Sequence, residues 1–337
     1  MSKPTPPVSP ERIFQMLSAY QSTAVLKAAI ELDIFTALAE GANTVPAMAK
    51  RCSASERGTR TLADYLVIIG LLTKTGSTYG LTPDSATFLD RRSPAYLGSV
   101  TGFLLSPHVT DAFKDVAAAV RKGSTTGDAG MMEPDHPAWV DFARSMMPMM
   151  FPAAQAIAEI TNAGKGEKWK VLDVAAGHGL FGVTLAQRNP NAEIFALDWP
   201  NVLQVAEENA RKAGVAGRFH KLPGDALKVD LGSDYDLILL TNFLHHFDVA
   251  SCEHFLRKVR SALKPGGRAV TLEFIPNEDR ISPAMPATFS MMMLVGTPGG
   301  DAYTFAEYER MFKNAGFTRS ELKPMPMSPE QVIISLP

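Results

Sequence analysis

The sequence predicts an α/β protein: a doubly wound, Rossmann-like parallel sheet preceded by a helical, winged-helix-like region. Three observations predict it. Apolar, β-branched runs alternate with helical patterns from residue 170 to residue 274, the order that builds a parallel sheet with helices on both faces. The first of those runs ends in Gly177-His178-Gly179 and passes straight into a helical pattern, a cradle where backbone N–H groups face a ligand. Ahead of it, residues 10–72 carry apolar side chains at helical spacing, and 71–81 reads as a small hairpin around Gly76.

A chain of 337 residues exceeds one ordinary domain and suits two. The patterning divides it into a helical domain over 1–110 and a sheet domain over 111–337, in which 111–165 are linking helices that contribute to a pocket. Hydrophobic residues make up 46% and charged residues 20%, enough to fill two cores. With 33 basic and 35 acidic side chains the formal charge is −2, so no global basic field exists for nucleic acid or anionic lipid. Cys52 and Cys252 are far apart and show no ligand spacing, which points to a reducing, cytoplasmic setting. The opening MSKPTPPVSPER is polar and proline-rich, unlike a signal peptide or anchor. No apolar run reaches the ~18 residues of a membrane span, so no membrane partner is expected.

In order, helices are expected over 10–38, 45–49 and 55–72, with Gly41 breaking the first pattern. Helices followed by a hairpin resemble a winged helix, which raises a DNA-binding alternative. Through residue 92 the chain has 10 Lys/Arg against 8 Asp/Glu, a poor balance for phosphate contacts. Those helices are apolar beyond a single stripe, and a protein–protein interface fits them better. Helices continue over 93–121, a Gly/Ser/Thr/Asp loop spans 122–136, and 137–160 is helical with kinks expected at Pro148 and Pro152. Met146, Met147, Met149, Met150 and Phe151 cluster there, either as core filling or as a deformable wall for a flat organic substrate.

Strands are then expected over 170–175, 193–197, 218–222, 235–241 and 268–274, with helices over 180–187, 200–213 and 249–263. Thr304 with Glu307 three residues on forms a capping box, and Gly316 closes that helix. The last strands, 318–323 and 331–336, flank a short Pro-rich turn and look antiparallel, a departure from a plain dinucleotide fold.

The chemistry concentrates at the strand ends. Gly177 through Gly182 reads literally as G-x-G-x-x-G, which suits a dinucleotide and its close relatives alike. Asp173 bears on the choice. A carboxylate at the mouth of the strand repels a pyrophosphate and favours S-adenosylmethionine, whose charges there are an ammonium and a sulfonium. The plainer alternative is an Asp that caps the turn. Asp198, 21 residues after Gly177, is placed to accept both ribose hydroxyls of an adenosine. Asp225, in Gly224-Asp225-Ala226, reads the adenine edge or simply forms the turn beside Gly224. His245 and His246 follow the strand 235–241 at its ligand end. Adjacent residues on a strand face opposite ways and no acidic set completes a metal site, so no metal is expected and His246 is expected to point away from His245.

VLDVAAGHG, ALDWPNVL, GDAL, NFLHHFDVASC, LKPGG and TPGGDAYTFAEYERMFKNAGF, taken together, resemble the S-adenosylmethionine-dependent O-methyltransferases of the caffeic acid, hydroxyindole and bacterial polyketide-tailoring type. The resemblance covers nearly the whole chain. It implies S-adenosylmethionine as cofactor, a small phenolic or aromatic substrate, and a homodimer interlocked through the N-terminal domain. Asp173, Gly177 and Gly179 match the cofactor loop, and Asp198 the ribose acid with Trp199 beside it. Asp225, between Gly224 and Ala226, matches the adenine side, and Thr241 the methionine end. His245 matches the general base and Glu273, in TLEF, the acid that orients it. Phe142, Met146, Met292 and Met293 are the apolar candidates for the substrate wall. Two positions depart from the pattern: His245-His246-Phe247 stands for His-Asp-Trp, and Asp301-Ala302 follows Gly299-Gly300 where the plant enzymes carry a second Glu. Carbon or nitrogen methylation, a nicotinamide-dependent oxidoreductase and a DNA-binding regulator remain the alternatives.

Overall fold

The first helix among the described residues, Glu11–Glu31, is broken at Asp33, whose left-handed backbone (φ 61°) turns it into the helix Ile34–Ala39. The computed structural model describes residues 8–127, 135–325 and 328–337. The chain separates into two units, Met1–Thr101 and Gly102–Pro337. Part of the expected 122–136 loop lies outside the described residues.

In the first unit the helices Val45–Arg51 and Glu56–Ile68 follow, then β1 (Leu72–Thr75) and β2 (Thr78–Leu81), an antiparallel hairpin. Ile34, Phe35, Met48, Leu66, Leu72 and Tyr79 form its core. The first half of the long helix stays outside that core. Ile13, Phe14, Leu17 and Tyr20 lie on one apolar stripe and are 63–69% exposed.

Among the described residues the second unit is built on seven strands: β3 (Trp169–Val174), β4 (Ala192–Asp198), β5 (Phe219–Pro223), β6 (Tyr235–Thr241), β7 (Leu263–Glu273), β8 (Arg319–Lys323) and β9 (Gln331–Leu336). Their order in the sheet is β5-β4-β3-β6-β7-β9-β8. The first five pair in parallel; β9 joins β7 and β8 antiparallel, as the sequence predicts. The winding reverses between β3 and β6, so a crevice opens there at the carboxyl ends of the strands. Strand β7 begins earlier than expected because Leu263 already pairs with Tyr235. Regular pairing resumes at Arg268, and Gly267 lies so close to the Tyr235 carbonyl that a Cβ would sit 2.6 Å from it.

Helices Leu180–Arg188, Pro200–Lys212, Val249–Ala262 and Phe305–Asn314 fall where the sequence places them, the last with its Thr304–Glu307 capping box. Expected kinks resolve differently. The chain breaks at Met146 between helices Ala138–Ser145 and Met147–Ile160, with Pro148 in the first turn of the second and Pro152 inside it. The helix Ala284–Gly296 has no counterpart in the sequence reading. Its AMPATFSMMMLVG is apolar nearly all round, so no 3.6-residue alternation marks it.

Candidate active site

Strand β3 delivers the chain to a turn of left-handed residues: Ala175, Gly177 and Gly179 have φ of 51°, 58° and 71°. Gly179 also lets the following helix approach its neighbour, since a Cβ there would meet that of Ala206 at 3.0 Å. Beyond the turn lies a cavity of about 1160 Å³, lined entirely by residues of the second unit.

Among the expected site residues, Gly177, Asp198, Trp199, Gly224, Asp225, Ala226, Thr241, His245, Phe142, Met146, Met292 and Met293 line this cavity. Asp173, Gly179 and Glu273 stand behind the wall. Asp173 is fully buried; its Oδ2 accepts the Gly182 N–H at 3.0 Å while Oδ1 has no partner, and burial pushes its pKa up to about 7. Asp198 accepts the N–H groups of Gly177 and Trp199, both at 2.7 Å. Burial nonetheless holds its pKa up at about 6. Asp225 is engaged by its own turn: its Oδ1 accepts from Leu227 N–H at 2.9 Å and its Oδ2 pairs with Lys228 at 3.1 Å.

Strand β6 ends at Thr241, and Leu244–His246 winds into a tight turn. His245 Nδ1 bonds to Glu273 Oε2. The other oxygen, Oε1, accepts backbone N–H groups from Phe243, Leu244 and His245 at 3.2, 2.9 and 3.4 Å. Both side chains are buried. Burial drives the imidazole well below its usual pKa, so it is neutral near pH 7. Burial also raises the Glu273 carboxyl, while the three N–H groups favour its charged form. The expectation that His246 points away is corrected. The turn, unlike a strand, keeps neighbouring side chains on one side, and the two rings lie 4.2 Å apart, both on the cavity wall.

The methionine cluster serves both readings: Met146 and Met150 are buried at 3% exposure and also line the cavity with Met149. Sequence reasoning missed Trp139, His178, His246, Asn242, Phe274 and Phe289 on the wall. Phe289 sits on the unread helix, and His178 hides at a variable position of the glycine motif. Lys228 is the only Lys or Arg on the wall among the described residues, and it is already paired. A pyrophosphate therefore finds no free cation, whereas an adenosine on a sulfonium needs none.

These features define a class I methyl-transferring enzyme: a nucleoside crevice at the switch point, with an imidazole–carboxylate pair across an apolar cavity. A model of the O-methyltransferase domain matches residues 166–318, and one of the O-methyltransferase dimerisation domain matches 14–91. The chain belongs to the S-adenosylmethionine-dependent O-methyltransferase family. The crystal structure of a candidate O-methyltransferase from Nostoc punctiforme is 53% identical, with a TM-score of 0.94 over 98% of this chain and 99% of that one. The 3-hydroxy-5-methyl-1-naphthoate 3-O-methyltransferase of Streptomyces sahachiroi is 28% identical over 321 residues, 93% of this chain and 91% of its own. Human N-acetylserotonin methyltransferase, solved in complex with S-adenosylmethionine, shares the fold at 24% identity, with a TM-score of 0.83 over 99% of each chain. Among the described residues no helix is long and apolar enough to cross a membrane.

Proposed function

We propose that this O-methyltransferase acts on a hydroxyl oxygen of a small, uncharged aromatic molecule, with His245 as the general base. The observation that carries this reading is His245 on the wall of a largely apolar cavity, bonded to Glu273 behind it. When bound, S-adenosylmethionine supplies an electrophilic methyl group on a sulfonium. Asp198 holds the ribose hydroxyls; Gly224, Asp225 and Ala226 face the adenine, and Thr241 the methionine end. Asp173 acts from behind the turn, fixing Gly182 by accepting its N–H. Phe142, Met146, Met292 and Met293, with Trp199 near the nucleoside, exclude water and clamp a flat ring by dispersion.

A phenol has a pKa near 10, so few molecules are ionised at pH 7. With Nδ1–H directed at Glu273, the Nε2 lone pair of His245 takes the hydroxyl proton as oxygen attacks the methyl carbon. Glu273 stabilises the imidazolium so formed. The functional unit is a homodimer assembled through the first domain, whose exposed Ile13, Phe14, Leu17 and Tyr20 call for a cover. A cytoplasmic site suits the two free thiols, Cys52 and Cys252. The test is a panel of neutral phenols and matched aromatic amines incubated with the methyl donor and read by mass spectrometry. Products methylated only at nitrogen or carbon would overturn the reading.

A further inference from the structure

His178 occupies the glycine turn after β3, lines the cavity, and is 2% exposed. Its Nδ1 accepts the Leu180 N–H at 3.1 Å, so the ring proton resides on Nε2. Burial alone lowers its pKa to about 4, and the ring is neutral. Nε2–H is thus a buried donor, and among the described residues it has no partner. A buried donor without an acceptor is unfavourable and rarely left so. The ring is also held against reorientation. Phe142 stacks on it with centroids 6.0 Å apart and planes at 19°, and Phe181 lies at 5.9 Å on the tilt.

The donor on the cavity lining suits an incoming acceptor, and the methyl donor carries a strong one, the carboxylate of its amino-acid end. His178 lies just ahead of Gly179, the N-cap of the helix Leu180–Arg188, whose dipole favours negative charge at that end. No unpaired Lys or Arg among the described wall residues competes for it.

We infer that His178 is a binding residue for the methyl donor, its Nε2–H donating to the carboxylate of the amino-acid end. The inference rests on the cavity being the methyl-donor site. Calorimetry of wild type and His178→Ala with two probes separates the cases: S-adenosylhomocysteine, which carries the amino-acid end, and 5′-methylthioadenosine, which lacks it. Expected is an affinity loss of about 10- to 100-fold for the first probe, the scale of a hydrogen bond to a charged group, with the second changed less than about twofold. Equal losses for both probes, or no loss for either, overturn the inference. If wild type binds neither probe, the methyl-donor site itself is misassigned and the inference falls with it. In wild type with isotope-labelled histidine, the His178 Nε2–H resonance should move on adding S-adenosylhomocysteine and stay put with 5′-methylthioadenosine. A resonance indifferent to both overturns it without recourse to a variant.

Discussion

One carboxylate, Glu273, joins the end of β7 to His245 on the neighbouring turn: Oε2 meets the imidazole Nδ1, while Oε1 gathers three consecutive backbone N–H groups. The same residue therefore orients the ring and builds the turn that presents it. These two duties separate under substitution.

Replacing His245 by Ala should lower turnover of a phenol by about 10²–10⁴-fold, the range for a positioned general base. Affinity for S-adenosylhomocysteine, measured by calorimetry, should stay within a few-fold. Part of the lost rate should return at high pH, where the phenol ionises unaided. Near-full activity in the variant would show that His245 is not the base. His246→Ala should act mainly on substrate KM, because that ring forms cavity wall without an acid behind it.

Glu273→Gln keeps an oxygen for the backbone N–H groups, but its amide presents a donor to Nδ1. The tautomer then reverses, placing the proton on Nε2, where the base is needed. Stability should stay within about 1 kcal/mol, while turnover falls by about 10²–10⁴-fold. Glu273→Ala should instead cost about 2–4 kcal/mol of unfolding free energy, since it strips three buried donors of their acceptor. Urea unfolding distinguishes the two variants, and equal stabilities would refute the division of duties.

Asp198 makes the ligand-free protein sensitive to pH. Its pKa stands near 6 in the fold because burial disfavours the charge, against 3.8 ordinarily. The folded state thus keeps a proton that the unfolded chain releases. Its contribution is full below pH 4 and is lost as pH rises through 6. Asp198→Asn should reduce the fall in stability between pH 4 and pH 8 by at most about 3 kcal/mol. Denaturant titrations at the two pH values measure that slope, and an unchanged slope contradicts the assignment. The same variant should weaken nucleoside binding.

The exposed stripe of the first helix predicts that Phe14→Asp with Leu17→Asp dissociates the protein. Light scattering of wild type should give twice the 36.4 kDa chain mass, and the double variant the chain mass itself. An obligate interface of this kind buries more than about 2,000 Å². A monomeric wild type at micromolar concentration rules it out.

Much of this architecture is written locally. Strand β6 is a run of apolar residues bounded at Tyr235 and Thr241, and the Thr304–Glu307 capping box marks a helix start, because neighbours in sequence decide both. That Asp198 and His245 line the cavity is legible in the sequence because an open α/β sheet gathers its strand ends at the crevice. Tertiary packing alone decided the rest. The helix Ala284–Gly296 carries no periodic signal, and its Phe289 reaches the wall only after folding. His246 joins His245 because a turn replaces strand geometry after Thr241. Asp173 lies behind the wall because the helix amide of Gly182 draws its carboxylate there. His178 emerges as a donor only where Leu180 assigns its tautomer and two aromatic rings flank it. Residue type and spacing determine which groups reach the crevice. Burial and hydrogen-bond partners drawn from distant segments decide which way those groups face and which protons they hold.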